Sequence, residues 1–194
     1  MTRIRKRTLA IAAAVVAIPL LGLAWWLGSP LLLDTKVDET FPLSADAEVP
    51  VDMTQEEVEA NMAKAAEAKS ETSEDMPATE SDLVEVDSGQ FIGADEFHQG
   101  SGQATIYRLP EGERVLRLDE FMVTNGPNLH VFLVPHPDPQ TRADVADFLD
   151  LGPLKGNIGS QNYDIPNDAS LPQYRSVVIY CVPFHVIFAT ATLS

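Results

Sequence analysis

The sequence predicts an all-β protein: a β-sandwich domain preceded by a single transmembrane helix and by an acidic, largely disordered stalk with one short helix. Three observations support this prediction. An uncharged apolar stretch follows four basic residues near the N-terminus, an acidic segment follows it, and the remaining chain consists of short β-branched and aromatic runs. We place the boundaries at residues 1–33, 34–83 and 84–194.

The formal net charge of −16 is distributed unevenly over the chain. Residues 1–33 hold four bases and no acid, residues 34–89 hold 17 acids against three bases, and residues 90–194 hold 12 acids against six bases. Binding to phosphate backbones requires clustered Lys and Arg on the folded part. We therefore expect no nucleic-acid partner.

The first segment, residues 1–33, is predicted to be a signal anchor. Its most apolar part, Leu9 to Leu27, would be about 28 Å long as a helix, which matches the hydrocarbon core of a bilayer. The basic residues before it predict a cell-membrane protein that spans the membrane once, with a cytoplasmic N-terminus and an exported C-terminal domain. A cleaved signal peptide is the alternative, but Trp25 and Trp26 occupy the place where cleavage needs small residues. Both interpretations export the rest of the chain.

The second segment, residues 34–83, has the composition of an acidic linker, rich in Glu, Asp, Ala, Ser and Thr. One short helix is predicted near 55–69, because Thr54 and Glu57 have the spacing of a capping box and Val58 and Met62 begin an apolar stripe. Two interpretations stay open for this helix. It is either a marginal helix inside a spacer that holds the last domain clear of the membrane, or a helix that docks on the folded domain or on a partner.

The third segment, residues 84–194, is predicted to contain the strands QATIYRL, RVLRLDEFMV, NLHVFLV, RSVVIYCV and FHVIFATATL, separated by turns rich in Gly and Pro. Both faces of residues 129–134 are partly apolar, which favours two packed sheets. A short helix is expected near Arg142 to Phe148, after a cap formed by Thr141 and Asp144. The GPLKGNIGSQNYDIP segment is either a long loop or two short strands.

The sequence contains no Gly-rich phosphate loop, H-E-x-x-H, G-x-S-x-G or paired-cysteine zinc pattern. Its single cysteine, Cys181, rules out a disulfide within the chain. Four interpretations of Cys181 remain: a small buried apolar residue, an intermolecular disulfide, a reactive thiol, or a ligand to a metal or haem.

Four stretches occur in the order FIGADEFHQGSGQATIYRL, LRLDEFMVTNGPNLHVFLV, LGPLKGNIGSQNYDIP and YRSVVIYCVPFHVIFATATL. This order resembles the DM-13 domain, found in Skeletor-like animal proteins and in many bacterial membrane-anchored proteins. The resemblance covers roughly residues 84–194. It implies a β-sandwich whose cysteine is carried here by Cys181, and electron transfer or redox modification by a bare thiol or through a prosthetic group such as haem.

The candidate site follows from this resemblance and from the neighbours of the cysteine. Cys181 is the predicted catalytic residue, and Cys181, His98, Tyr180 and His185 are the predicted cofactor-binding residues. His185 would lower the pKa of the thiol if it folded back over Pro183. His98, in the H-x-x-S-G motif, is either a second site residue near Cys181 or a loop histidine that hydrogen-bonds a turn backbone. The metal, if any, is undetermined.

Three alternatives for the cofactor remain open: haem, copper or none. A thiolate with one or two imidazoles suits haem and copper, and His130 is a candidate upstream imidazole. Copper is disfavoured because no methionine follows Cys181.

The sequence thus predicts a membrane-anchored extracytoplasmic protein with a cysteine-centred redox or electron-transfer domain. The alternative is a non-catalytic cell-surface adhesion or scaffold domain in which Cys181 is a buried core residue. The predicted partners are the membrane, an unidentified redox partner, and a protein that docks through the acidic stalk.

Overall fold

The computed structural model of the protein describes residues 47–194. The predicted anchor at 1–33 and the first part of the predicted stalk, 34–46, lie outside the described residues. Between residues 47 and 194, no helix has both the length and the apolar character needed to cross a membrane.

Eight antiparallel strands form the body of the protein, which confirms the all-β prediction. They are β1 (Val84–Gly93), β2 (Gly100–Arg108), β3 (Arg114–Val123), β4 (Leu129–Val134), β5 (Leu149–Pro153), β6 (Gln161–Ile165), β7 (Ser176–Cys181) and β8 (Val186–Thr192). Among the described residues, the α-helix α1 (Gln55–Ala66) precedes the strands. Three short 3₁₀ turns lie in the same part of the chain, at Glu80–Asp82, Arg142–Val145 and Leu171–Gln173.

The strands follow one another in the order β5-β4-β7-β8-β1-β2-β3-β6, as a single sheet that nearly closes on itself. Strand β1 joins two halves into this one sheet, where the sequence favours two packed sheets. Its first part, 84–90, pairs with β2, and its last part, 91–93, pairs with β8. Gly89 lies at this change of partner, where a Cβ would come within 2.2 Å of the Thr192 carbonyl oxygen. A glycine therefore allows the two strands to approach each other closely.

The sheet has apolar residues on both faces of β4, β7 and β8. The inner face forms the main core, which includes Leu133, Ile179, Cys181 and Phe188. The outer face carries a second, smaller cluster of Phe132, Val134, Val145, Val178, Tyr180 and Ile187. The turn at Arg142–Val145 covers this cluster through Val145. The double-sided apolar pattern in the sequence therefore reflects strands that are covered on both faces.

The helix α1 forms where the capping box predicts it. The Thr54 hydroxyl accepts a hydrogen bond from the Glu57 backbone (3.2 Å), and the Thr54 backbone donates one to the Glu57 carboxylate (2.8 Å). The expectation of a marginal helix within a spacer is wrong, because Val58 and Met62 are 0% and 1% exposed and belong to the main core. Burial of these two side chains makes α1 part of the folded body.

The chain after α1 is also bound to the sheet, which corrects the prediction of disorder for this part of the stalk. Glu71 forms a bridge with Ile158, and the Thr72 backbone donates a hydrogen bond to the Ile158 carbonyl oxygen (2.8 Å). The Glu74 carboxylate accepts hydrogen bonds from Lys155 Nζ (2.8 Å) and from the Asn162 backbone (2.9 Å). The Lys155 hydrogen bond is the main cause that lowers the pKa of Glu74. An acidic composition alone does not reveal such specific partners.

The segment after β4 has a shorter helical turn than predicted. It also decides between the long loop and the two short strands that the sequence left open. The helix expected near Arg142 to Phe148 is only the 3₁₀ turn Arg142–Val145, since β5 already begins at Leu149. Asp144 accepts hydrogen bonds from the Thr141 backbone and hydroxyl, both at 2.9 Å. The Gly- and Pro-punctuated segment forms the two short strands β5 and β6 with a loop between them.

Candidate functional site

Cys181 ends strand β7 and faces the main core. In the sheet it lies opposite Leu129 of β4 and Val186 of β8. Its side chain is 0% exposed, and its Sγ lies 3.2 Å from the Pro127 carbonyl oxygen, to which the thiol donates a hydrogen bond. Pro127 belongs to the loop that connects β3 to β4, so this loop covers the thiol.

The environment of Cys181 keeps the thiol protonated. Burial raises the pKa of Cys181 to about 12, and a hydrogen bond with the Phe184 backbone opposes this shift only in part. The thiolate is the nucleophilic and metal-binding form of cysteine. Cys181 is therefore a neutral, enclosed thiol at physiological pH.

Tyr180 faces the other side of the sheet, since neighbouring residues of a strand point to opposite faces. Its side chain is 5% exposed, and its hydroxyl lies 3.3 Å from Nδ1 of His185. Nε2 of His185 in turn lies 3.3 Å from the Glu48 carboxylate. The structure thus brings Tyr180 and His185 together, on the face opposite to the Cys181 side chain. The ring nitrogens of His185 contact Tyr180 and Glu48 rather than forming the predicted contact with the thiol.

His98 is held in the turn between β1 and β2. Its side chain is 0% exposed, and its Nδ1 lies 2.7 Å from the Asp95 carboxylate. The His98 and Phe188 rings pack in a T-shaped arrangement with a centroid distance of 4.3 Å. Burial pushes the pKa of Asp95 upward, but hydrogen bonds from the His98 ring and backbone outweigh it and lower that pKa. The His98 ring thus contacts the Asp95 side chain within its own turn.

Two clefts open on the outer face near His185. The aromatic cleft has a volume of about 710 Å³, and its lining includes Phe132, Val145, Phe148, Tyr180, Arg142 and His185. The polar cleft has a volume of about 430 Å³, and its lining includes Gln90, Asp95, Asp138, Gln140, Arg142 and His185. Arg142 and His185 line both clefts, and the Glu48 carboxylate contacts both side chains. Cys181 lines neither cleft.

Four aromatic rings follow one another along the outer face. Phe148, which is 45% exposed, stacks on the buried Phe132 at 4.1 Å, and Phe132 lies 5.2 Å from Tyr180. The Tyr180 and His185 rings lie 6.1 Å apart. The aromatic cleft thus has a continuous wall of π-systems that ends at a hydrogen-bonded phenol and imidazole.

A haem or copper ion ligated by Cys181 does not fit the residues around it. The thiol is enclosed by the core and by the β3–β4 loop, and burial favours its protonated form. His130 lies opposite Tyr180 in the sheet, and its Nδ1 is 2.9 Å from the Asp150 carboxylate. Across residues 47–194, no group of three or more His, Cys, Asp and Glu side chains is arranged to hold a metal ion.

Sequence reasoning missed Glu48, Arg142, Phe132 and Phe148 as neighbours of the predicted site. Glu48 and Arg142, which form an ion pair, are 94 residues apart in the chain, and no motif in the sequence connects them. The double-sided apolar pattern of β4 was the one available signal, because it indicated that Phe132 is covered by another part of the chain.

Comparison with known proteins identifies a family for this chain. A family model described as electron transfer DM13 matches residues 90–193, which is more than half of the chain and contains β2 to β8 complete. No curated protein and no solved structure matches the chain.

Proposed function

The chain belongs to the electron-transfer DM13 family, and from this premise we propose that residues 84–194 transfer electrons on the exported side of a membrane in which residues 1–33 anchor the chain. The match over residues 90–193 is the observation that carries the electron-transfer proposal. The anchor and its orientation rest on the sequence, where basic residues precede an apolar stretch of membrane-spanning length.

In this proposal Cys181, the only cysteine of the chain, is a redox residue that acts as a bare thiol. This role requires that the loop covering Cys181 opens and exposes Sγ. The thiol donates its hydrogen bond to Pro127 of this loop, and the neighbouring Asn128 has a positive φ of 50°. Because the enclosed thiol is protonated, it reacts only when the loop moves and admits a partner or water.

Thiol labelling tests this role. We expect a maleimide to label the native protein slowly, at a rate set by loop opening, and we expect Cys181→Ser to abolish the labelling. An absorption spectrum and metal analysis of the same preparation test for a bound prosthetic group. A thiol that labels no faster than the whole domain unfolds would contradict the role of Cys181.

A second function, that of a non-catalytic cell-surface adhesion or scaffold domain, is supported by the complete burial of Cys181. Free cysteine often fills a core as a small apolar side chain. This function predicts a colourless, metal-free protein whose thiol labels only after denaturation.

A further inference from the structure

Resting on the electron-transfer function proposed above, we propose that Tyr180 and His185 form a proton-coupled redox pair in the wall of the aromatic cleft. Tyr180 gives one electron to an acceptor in the cleft, while its phenol proton moves to His185. The pair is a second candidate redox centre, on the face of the sheet opposite to Cys181, and its chemistry does not require access to the thiol.

The hydrogen bonds of His185 orient it as the proton acceptor. A carboxylate accepts hydrogen bonds only, so the Glu48 carboxylate, 3.3 Å from Nε2, favours the tautomer that carries its proton on Nε2. Nδ1 then presents a lone pair to the Tyr180 hydroxyl at 3.3 Å. The charged side chains around the pair are Glu48 and Arg142, which form an ion pair with each other, and Asp95 and Asp138 in the wall of the polar cleft.

The surroundings of the phenol require the electron and the proton to leave together. Tyr180 is 5% exposed and packs among Phe132, Val178 and Ile187. An apolar environment disfavours the phenolate and the protonated radical cation alike, because both are charged. Burial raises the pKa of Tyr180, in agreement with a phenol that stays protonated until it is oxidised.

The proposed step is balanced in atoms and charge. The O–H bond of Tyr180 breaks and an N–H bond forms at Nδ1 of His185, while one electron passes from the phenol ring to the acceptor. The acceptor is an oxidised metal centre or an organic radical of a partner, which is reduced by one electron. The imidazolium that results is stabilised by the Glu48 carboxylate. An electron from a donor and return of the proton from Nδ1 restore the pair.

Tyr163 is the natural control for Tyr180. It is equally buried, at 4% exposure, and burial raises its pKa to about 12. Its hydroxyl, however, donates to the Gln161 side-chain oxygen at 2.9 Å and accepts from the Lys155 backbone at 3.0 Å. An amide oxygen is a far weaker base than an imidazole, so Tyr163 has a hydrogen-bond partner without a proton acceptor of suitable pKa.

Flash oxidation of the full chain in detergent micelles tests the pair. The acceptor is photogenerated ruthenium(III) tris-bipyridine, and the readouts are the transient absorption and the EPR spectrum of a tyrosyl radical. The parent chain carries Tyr107→Phe to remove a partly exposed tyrosine, and radicals on Trp25 and Trp26 are distinguished by their spectra. We expect Tyr180→Phe to remove the tyrosyl signal and Tyr163→Phe to retain it.

Variants of His185 test the proton transfer itself. His185 has a positive φ of 55°, so we choose His185→Asn and His185→Gly, which tolerate this conformation. We expect both to slow oxidation of Tyr180 by about a hundredfold, the lower range for loss of a general base. We also expect added imidazole to restore the rate in His185→Gly. A tyrosyl signal that persists in Tyr180→Phe, or an oxidation rate unchanged in both His185 variants, would overturn the pair.

The same measurements on Cys181→Ser separate this inference from the role of Cys181. If the Tyr180 radical forms with or without Cys181, and the thiol does not label in the native state, the Tyr180–His185 pair is supported. The cysteine-centred function is then contradicted. If the thiol labels in the native state but Tyr180 gives no radical, the role of Cys181 is supported and the Tyr180–His185 pair is contradicted.

Discussion

At the scale of single residues, Tyr180 and Cys181 are neighbours in the chain but have different surroundings. Cys181 belongs to the main core and hydrogen-bonds to a loop carbonyl, whereas Tyr180 belongs to the outer cluster and contacts an imidazole. Adjacent residues such as those of the stretch YCVPFH suggest a single site. Because neighbouring side chains of a strand point to opposite faces of the sheet, these residues belong to two different sites.

The buried thiol should make the protein less stable at alkaline pH. Its pKa is about 12 when folded against an ordinary value of 9.0, so the unfolded thiol loses its proton first as the pH rises. The contribution of the protonated thiol to the stability of the folded state is complete below about pH 9 and is lost progressively between about pH 9 and about pH 12. From about pH 8 to about pH 10, this group should lower the free energy of unfolding by about 1.4 kcal/mol.

Urea unfolding at these two pH values checks the prediction. Near pH 8 we expect Cys181→Ala to be less stable than the parent by about 1–2 kcal/mol, because packing is lost. Between about pH 8 and about pH 10, the free energy of unfolding of this variant should fall by about 1.4 kcal/mol less than that of the parent. Tyr163→Phe should reduce the parent's pH dependence by only about 0.4 kcal/mol, because the ordinary pKa of tyrosine, 10.0, lies at the upper end of this range. An unchanged pH dependence in Cys181→Ala would show that another group is responsible.

At the scale of elements, the segment after α1 is bound through a backbone contact that requires a glycine. A Cβ at Gly159 would come within 2.0 Å of the Thr72 carbonyl oxygen, and Gly159 has a φ of +102°. The Glu71–Ile158 bridge and the Thr72 hydrogen bond lie at the same place. The absence of a side chain at one position of the loop between β5 and β6 therefore allows the acidic segment to dock.

Gly159→Ala should release this segment. We expect faster hydrogen exchange at the Thr72 amide and faster proteolysis within residues 68–76, because the new methyl group and the Thr72 backbone cannot occupy the same space. Gly152→Ala is the matched control, since Gly152 has a similar φ of +110° but nothing within 4 Å of its Cβ position. Backbone strain should lower the free energy of unfolding of both variants by about 1–2 kcal/mol. Hydrogen exchange at the Thr72 amide should increase only in Gly159→Ala. Equal exchange in the two variants would mean that strain alone, not the contact, controls docking.

At the scale of the whole molecule, the folded body begins well before the first strand. Two side chains of α1, Val58 and Met62, complete the main core. A fragment that begins at residue 84 would lack them and would expose the apolar surface that they cover. Studies of the isolated domain should therefore retain the segment from residue 47 onward.

Met62→Ala tests this larger folding unit. Met62 is 1% exposed, so we expect the substitution to cost about 2–5 kcal/mol of stability. The same substitution at Met122, which is 48% exposed, should change stability by about 0.5 kcal/mol or less. The midpoints of urea unfolding for the two variants provide the comparison. Similar midpoints would mean that α1 contributes little to the core.

The net charge of −16 predicts a dependence on ionic strength. The docked segment and the sheet are both acidic, and salt screens their repulsion over a Debye length of about 8 Å at physiological strength. Salt also weakens the exposed Lys155–Glu74 pair, but such a pair contributes only about 0–1 kcal/mol. We expect the melting temperature to rise between about 10 mM and about 1 M sodium chloride. A falling melting temperature would indicate that specific ion pairs dominate.

The sequence by itself determined the features that depend on neighbours along the chain. It determined the main β-strands through short apolar runs and turn residues, the start of α1 through Thr54 and Glu57, and the family through motifs within residues 84–194. Each depends on side chains that are close in sequence, and such patterns can be recognised without a structure.

Only the tertiary structure decided which of these residues meet. It joined two predicted sheets through β1, docked the acidic segment on the sheet, and enclosed Cys181 while opening a cleft beside Tyr180. It also brought Glu48 to Arg142, 94 residues away in the chain, and to His185. The physical reason is that burial and hydrogen-bond partners depend on contacts between distant segments, and these contacts leave no periodic pattern in the local sequence.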